Sequence, residues 1–184
     1  MKKTKFITGV LMLLIPALAG AQALPFTAAE SDAASLGKAG ANIVETGSIA
    51  GAAFSNAAAI PFSESKMDVT AGYTLWQPSA AKSNILNVAG AYNVKEKFGV
   101  ALGLKYGMNP AYDITDATGA VNGSFTPSDM HINAGVAYRF IPALSLGASV
   151  GYATSTLAEG YSYGTVTADV FLMSQFSDFK VAAG

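Results

Sequence analysis

The chain has 184 residues, 51% of them hydrophobic and 12% charged, with a formal net charge of -1 and no cysteine. That length fits one domain, and so little charge, where a soluble globular chain carries about a quarter, points to a non-aqueous surrounding such as a bilayer. The absence of cysteine excludes a disulfide framework, a thiolate metal site, a Cys nucleophile and N-terminal Cys lipidation, and the balanced charge offers no basic stripe for nucleic acid.

In chain order, residues 1–23 read as a secretory signal peptide. Lys2, Lys3 and Lys5 form a positive start, residues 6–18 an apolar stretch containing Pro16, and Ala21-Gln22-Ala23 an A-x-A cleavage site. The apolar run falls short of the roughly 20 residues of a membrane helix, so cleavage before Leu24 is expected. Residues 24–62 are rich in Ala and Gly and lack a strand period, which predicts an arm or plug ahead of the first strand, packed as helix or irregular chain.

No later apolar run is long enough for a membrane helix, so a membrane-spanning reading has to come from strands. The period of two supplies it. Over 98–108, Phe98, Val100, Leu102, Leu104, Tyr106 and Met108 alternate with Gly99, Ala101, Gly103, Lys105 and Gly107. The same sorting predicts strands over 130–140 and 144–152, weaker ones over 67–76, 84–94 and 163–172, and a last one starting near Phe179. A soluble sandwich would carry Lys, Glu and Thr on its polar face. The small face here, Gly, Ala, Ser and Asn, fits the interior of a barrel instead, and about ten residues per strand is the length a tilted membrane strand needs.

Short connections at 95–97, 141–143 and 173–178 alternate with longer ones at 77–83, 109–128 and 153–162, the asymmetry of periplasmic turns and external loops. Aromatic residues fall near strand ends: Tyr92, Phe98, Tyr138, Phe140 and Phe171 at the turn side, Trp76, Tyr106, Tyr152, Tyr161 and Tyr163 at the loop side. The expectation is an all-β, up-and-down antiparallel transmembrane β-barrel occupying 63–184 in the bacterial outer membrane, in contact with outer-membrane lipid. Seven strands is an odd number and the pattern stops without a terminal aromatic, so the expectation is a partial barrel from a truncated chain.

No catalytic constellation emerges, so no enzyme, no cofactor and no metal site is expected. His131 is the single histidine and no G-x-S-x-G elbow accompanies it; Asp113 and Asp116 lack the spacing and final Glu of a calcium loop. Lys105, Arg139 and Asp169 lie on the small face of their strands, where a charge has to be paired or wetted. They form either a pore-lining or ligand-steering cluster or a structural salt-bridge network in the lumen.

The stretch ESDAASLGKAGANIVETGSIAGAAFSNAAAIPF resembles the N-terminal region of the PorV/PorQ group of FadL-like outer-membrane proteins, with Asp32, Gly37, Gly40 and Asn56 at the matching positions. Ala57 stands where that family has proline, and Lys38 and Ala39 interrupt the glycine pattern. The resemblance implies a barrel of fourteen strands, twice the seven counted, and a secretion-associated or scaffold component that binds secretion-system or substrate proteins. The alternative it implies is a FadL-like transporter of small hydrophobic molecules, gated by the N-terminal segment.

Overall fold

The computed structural model describes residues 24–30, 32–76, 79 and 82–184. The signal-peptide reading of 1–23, most of the connection 77–83 and the side chain of Trp76 lie outside the described residues.

Alternation of large and small side chains produces the strands, and hydrogen-bonded pairing assembles them in sequence order. Strands β1 (Met67–Trp76), β2 (Ser83–Val94), β3 (Phe98–Met108), β6 (Ser128–Ile141), β7 (Leu144–Ala158), β8 (Tyr161–Gln175) and β9 (Lys180–Ala183) form one seven-stranded sheet in the order β1-β2-β3-β6-β7-β8-β9. Every neighbouring pair is antiparallel. The sheet curls into a half-barrel. Its register puts the apolar sets of adjacent strands side by side: Leu102 faces Gly90 on β2 and Ala134 on β6, while Gly103 faces Ala89 and Asn133. A slip of one residue would exchange the two faces, so the pattern itself fixes the pairing.

The two faces differ in kind. On the convex side Leu86, Val88, Val100, Leu102, Ile132, Val136, Val150, Val166 and Val170 are all exposed, Leu102 at 58% and Val166 at 68%. On the concave side Ala89, Ala91, Ala101, Ala137, Asn87, Asn93, Asn133, Ser145 and Ser149 are buried. What buries them is the chain's own N-terminal segment. It comprises a 3-10 turn (Pro25–Ala28), a short helix α1 (Ala33–Gly37) and a second 3-10 segment (Ala57–Phe62), joined by turns. Ile49, Ala52, Ala53, Ala57 and Ile60 pack with Ala91, Ala101 and Ala137 of the sheet, and Ala58, Ala59 and Phe62 pack around Met173 of β8. The core therefore lies between segment and sheet. Among the described residues no helix is long and apolar enough to cross a membrane.

Several connections differ from the sequence expectation. The long loop 109–128 contains a hairpin, β4 (Tyr112–Thr115) with β5 (Val121–Phe125). The Tyr112 and Phe125 rings pack 5.9 Å apart, and the Asp116 carboxylate closes the turn by accepting from the Thr118 and Ala120 amides and the Thr118 hydroxyl. Those bonds hold Asp116 below the usual carboxylate range. The predicted loop 153–162 is mostly strand: β7 and β8 run on, with a register shift near Thr156, to a turn at Glu159 and Gly160. Thr154, Ser155 and Thr156 extend the β7 ladder because hydroxyl side chains pair across strands as well as they solvate loops. Strand β8 likewise runs two residues past 173 before its turn.

Two of the aromatic residues expected at the rims belong to the other face. Phe171 opposes Gly147 and packs into the cluster around Met173, and Tyr163 opposes buried Ser155 on the concave side. In both cases strand parity overrides the preference of an aromatic ring for an interface.

Candidate functional site

The concave face is a bed of small residues with a few long polar ones, and four of the long ones reach main-chain carbonyls of the N-terminal segment or of Ser63 at its end. Lys105 Nζ donates to the Ala29 carbonyl at 2.8 Å, Asn133 Nδ2 to Ala53 at 2.7 Å, Asn93 Nδ2 to Ser63 at 2.9 Å and an Arg139 guanidinium nitrogen to Pro61 at 3.3 Å. In the reverse direction, the Ile49 amide donates to the Asp68 carboxylate of β1 at 2.9 Å. A buried carbonyl without a donor costs about 1–3 kcal/mol, so these contacts fix a segment that has little regular structure to satisfy its own backbone. Rings complete two of them: Lys105 Nζ lies 4.6 Å from the Phe54 centroid and the Arg139 guanidinium 4.6 Å from that of Phe62.

Glycines on the concave face set how closely the segment sits. A Cβ at Gly147 would run into the backbone of residues 57 and 58, and one at Gly103 into the Phe54 ring. Larger residues at these two places would lift the segment off the sheet. Phe54 also packs on the His131 ring at 5.4 Å, and His131 Nε2 lies 3.3 Å from the Thr167 hydroxyl.

Lys105, Arg139 and Asp169, read from sequence as a pore-lining or ligand-steering cluster or a salt-bridge network, form no ion pair with one another. Lys105 is 5% exposed under the segment, Arg139 lies at the short-turn end bonded to Pro61 and Pro142, and Asp169 is exposed and accepts from Ser149 at 3.2 Å. The two cations take carbonyl oxygens of the segment as partners in place of the Asp169 carboxylate. Among the described residues the salt bridge is Lys38–Glu45, inside the segment itself.

The four motif positions each have a local role except one. Asp32 caps α1 by accepting from the Ser35 amide at 2.7 Å, and Gly40 has φ +82°, a conformation that suits glycine. Asn56 is 1% exposed; its Oδ1 accepts from the Ala58 amide at 2.9 Å and its Nδ2 donates to Ile43 at 2.7 Å, so it caps the second 3-10 segment and ties it to the preceding turns. Gly37 ends α1 with open space where a Cβ would be, and nothing in the packing requires glycine there.

Between segment and sheet lies a cleft of about 290 Å³ lined by Glu30, Asp32, Ser35, Lys38, Asn87 and Lys105 among others. Its polar side chains are largely engaged with each other: Glu30 accepts from Ser35 Oγ at 2.8 Å and from Asn42 Nδ2 at 3.2 Å, and the hydrogen bond from Lys38, with a smaller one from the Gly47 amide, holds Glu45 below the usual carboxylate range. No group of three His, Cys, Asp or Glu side chains among the described residues is arranged to hold a metal. Sequence reasoning missed Phe54, Asn93 and Asn133. The asparagines carried a signal, amides at concave-face parity among Gly and Ala; Phe54 carried none.

Neither the protein-family models nor the curated proteins searched contain a match to this chain.

Proposed function

We propose that this chain is an exported bacterial outer-membrane protein of the PorV/PorQ kind. Its curled sheet forms part of a transmembrane barrel wall, its N-terminal segment occupies the lumen as a plug, and its loop end binds protein partners. The observation that carries the reading is the contrast between faces. A convex surface with exposed Leu, Val, Ile, Phe and Tyr on successive strands is unstable against water at this extent and suited to lipid, while the opposite face is already filled by the chain's own segment.

A filled concave face, and a cleft in which carboxylates, amides and lysines interrupt the Ala, Gly and Phe54 lining, favour a scaffold over a FadL-like transporter, whose path for hydrophobic molecules needs a continuous apolar lining. Partner binding falls to the loop end, where the β4–β5 hairpin leans on β7 through the Tyr112 hydroxyl, 2.7 Å from the Leu157 carbonyl, and leaves Val121 and Tyr161 exposed. The resemblance over Asp32 to Asn56 supplies the partner class, secretion-system or secreted proteins.

The test is expression of the full chain in a Gram-negative host, followed by fractionation, N-terminal sequencing and an uptake assay with a labelled long-chain fatty acid. The expected product starts at Leu24, sediments with outer membranes, resists protease over its strands and adds no uptake. Recovery in a soluble fraction would remove the membrane reading, and stimulated uptake would replace the scaffold by a transporter.

A further inference from the structure

The two ends of the sheet carry opposite charge. At the short-turn end stand Lys66, Lys95, Lys97, Arg139 and Lys180 against Glu64, Asp68, Glu96 and Asp178; at the loop end Lys82 stands against Asp113, Asp129, Asp116 and Glu159. One end is net basic and the other net acidic. The chain-wide balance near zero conceals this polarity.

The basic end is also organised. Lys66 Nζ lies 5.9 Å from the Tyr92 centroid and Lys97 Nζ 5.7 Å from that of Tyr138, and both tyrosines point out from the convex face. Tyr138 is packed edge-on by Phe140 at 4.9 Å. Beside them is a shallow cleft of about 480 Å³ lined by Lys95, Glu96, Lys97, Arg139, Phe140 and Ile141, in which the last two are more than half exposed. The β2–β3 turn that presents the lysines has Lys95 at φ +53° and Glu96 at φ +55°. Asn-Gly would make that turn without strain, so the strained form keeps long charged side chains at the rim.

Ammonium groups over outward-facing phenol rings, with apolar side chains directly alongside, form the layered order of a lipid interface: charge at headgroup height, rings below it, then alkyl groups. We propose that the short-turn end is a binding site for the phosphate headgroup of an anionic phospholipid. Lys95 and Lys97 take the phosphate, and Phe140 and Ile141 take the first part of an acyl chain. The inference rests on the membrane reading above and adds lipid selectivity to it. The acidic loop end would repel the same headgroup, so the site also fixes which end faces the phospholipid leaflet.

The experiment folds the full chain into vesicles of phosphatidylcholine and phosphatidylglycerol in equal amounts and counts co-purified lipids by native mass spectrometry. The expected result is about thirtyfold enrichment of phosphatidylglycerol, on the basis of about 1 kcal/mol for each of the two lysines at an anionic surface. It should fall to parity in K95Q/K97Q and persist in K82Q at the opposite end, with protease protection of the strands unchanged in both. Equal retention of the two lipids by the inserted parent chain would overturn the proposal, as would loss of the enrichment in millimolar inorganic phosphate, which would mark a general anion site. Failure to insert into either lipid would fall on the membrane reading itself, because protease protection reports insertion independently of which lipid is retained.

Discussion

Neighbouring residues on one strand meet opposite worlds here. Leu102 stands on the convex face beside Gly90 and Ala134 and is mostly exposed, whereas Gly103 lies under the Phe54 ring with no room for a side chain. On β7, Ala148 is exposed and Gly147 meets the backbone of the N-terminal segment. The convex face needs only apolarity and tolerates many shapes; the concave face needs smallness at defined places. Period-two alternation thus encodes two different constraints, one set by solvent and one by a packed partner segment.

The largest expected effect breaks the solvent side of this contrast. On the proposed membrane reading, Leu102→Arg, near the middle of β3, should cost about 3 kcal/mol in a urea unfolding equilibrium in phospholipid vesicles, the scale for arginine near a bilayer midplane. A water-facing surface would absorb the same change within about 0.5 kcal/mol, and that outcome would end the lipid assignment. Next comes the packed side. Gly147→Val should cost about 2 kcal/mol by overpacking against a backbone that cannot rotate away, while Ala148→Val on the adjacent residue should change the same midpoint hardly at all. Equal effects at 147 and 148 would mean that the segment does not sit on the sheet.

Asn56→Ala sharpens the comparison within the segment. Loss of its bonds leaves the buried Ala58 amide unpaired and releases the Ile43 carbonyl, and should cost about 1.5 kcal/mol. Limited proteolysis reads the result directly, since cleavage within 40–62 should accelerate while cleavage within the strands does not. Acceleration in both would make Asn56 a determinant of the whole fold.

The strands were legible because alternation over ten residues is a strong signal: 98–108 was delimited to the residue, and the order of the main sheet followed from the chain. Strand ends were less legible. The run Thr154-Ser155-Thr156 reads equally as solvated loop or as a hydroxyl ladder, and only pairing with β8 decides it. The hairpin within 109–128 was hidden because Tyr112-Asp113-Ile114-Thr115 is four residues long, too short for its period to stand out. Residue type suggests an interface for Tyr163 and Phe171, but strand parity decides their face. As for the site, Lys105 and Arg139 were found as concave-face charges, but their partners were carbonyls contributed 76 and 78 residues away in sequence. A backbone acceptor leaves no trace in residue identity, so a charge at such a position predicts a need and not its partner.

The smallest expected effect concerns the Lys38–Glu45 salt bridge of the segment, which water reaches. Glu45 accepts a hydrogen bond from Lys38, with side chains 32% and 49% exposed, and its pKa lies below the usual carboxylate range chiefly because of that bond. A carboxylate depressed in the folded state stabilises above the usual range, and the contribution is lost as pH falls through the lowered folded value. Solvent screening limits it to a few tenths of a kcal/mol. Glu45→Gln should therefore shift the unfolding midpoint slightly at pH 7, and the difference from the parent chain should close as pH is lowered and shrink in high salt. By contrast, Leu102→Arg and Gly147→Val should keep their costs at both pH values. A Glu45→Gln penalty above about 1 kcal/mol, or one insensitive to salt, would place this pair in the buried interior of the segment and not at its wetted edge.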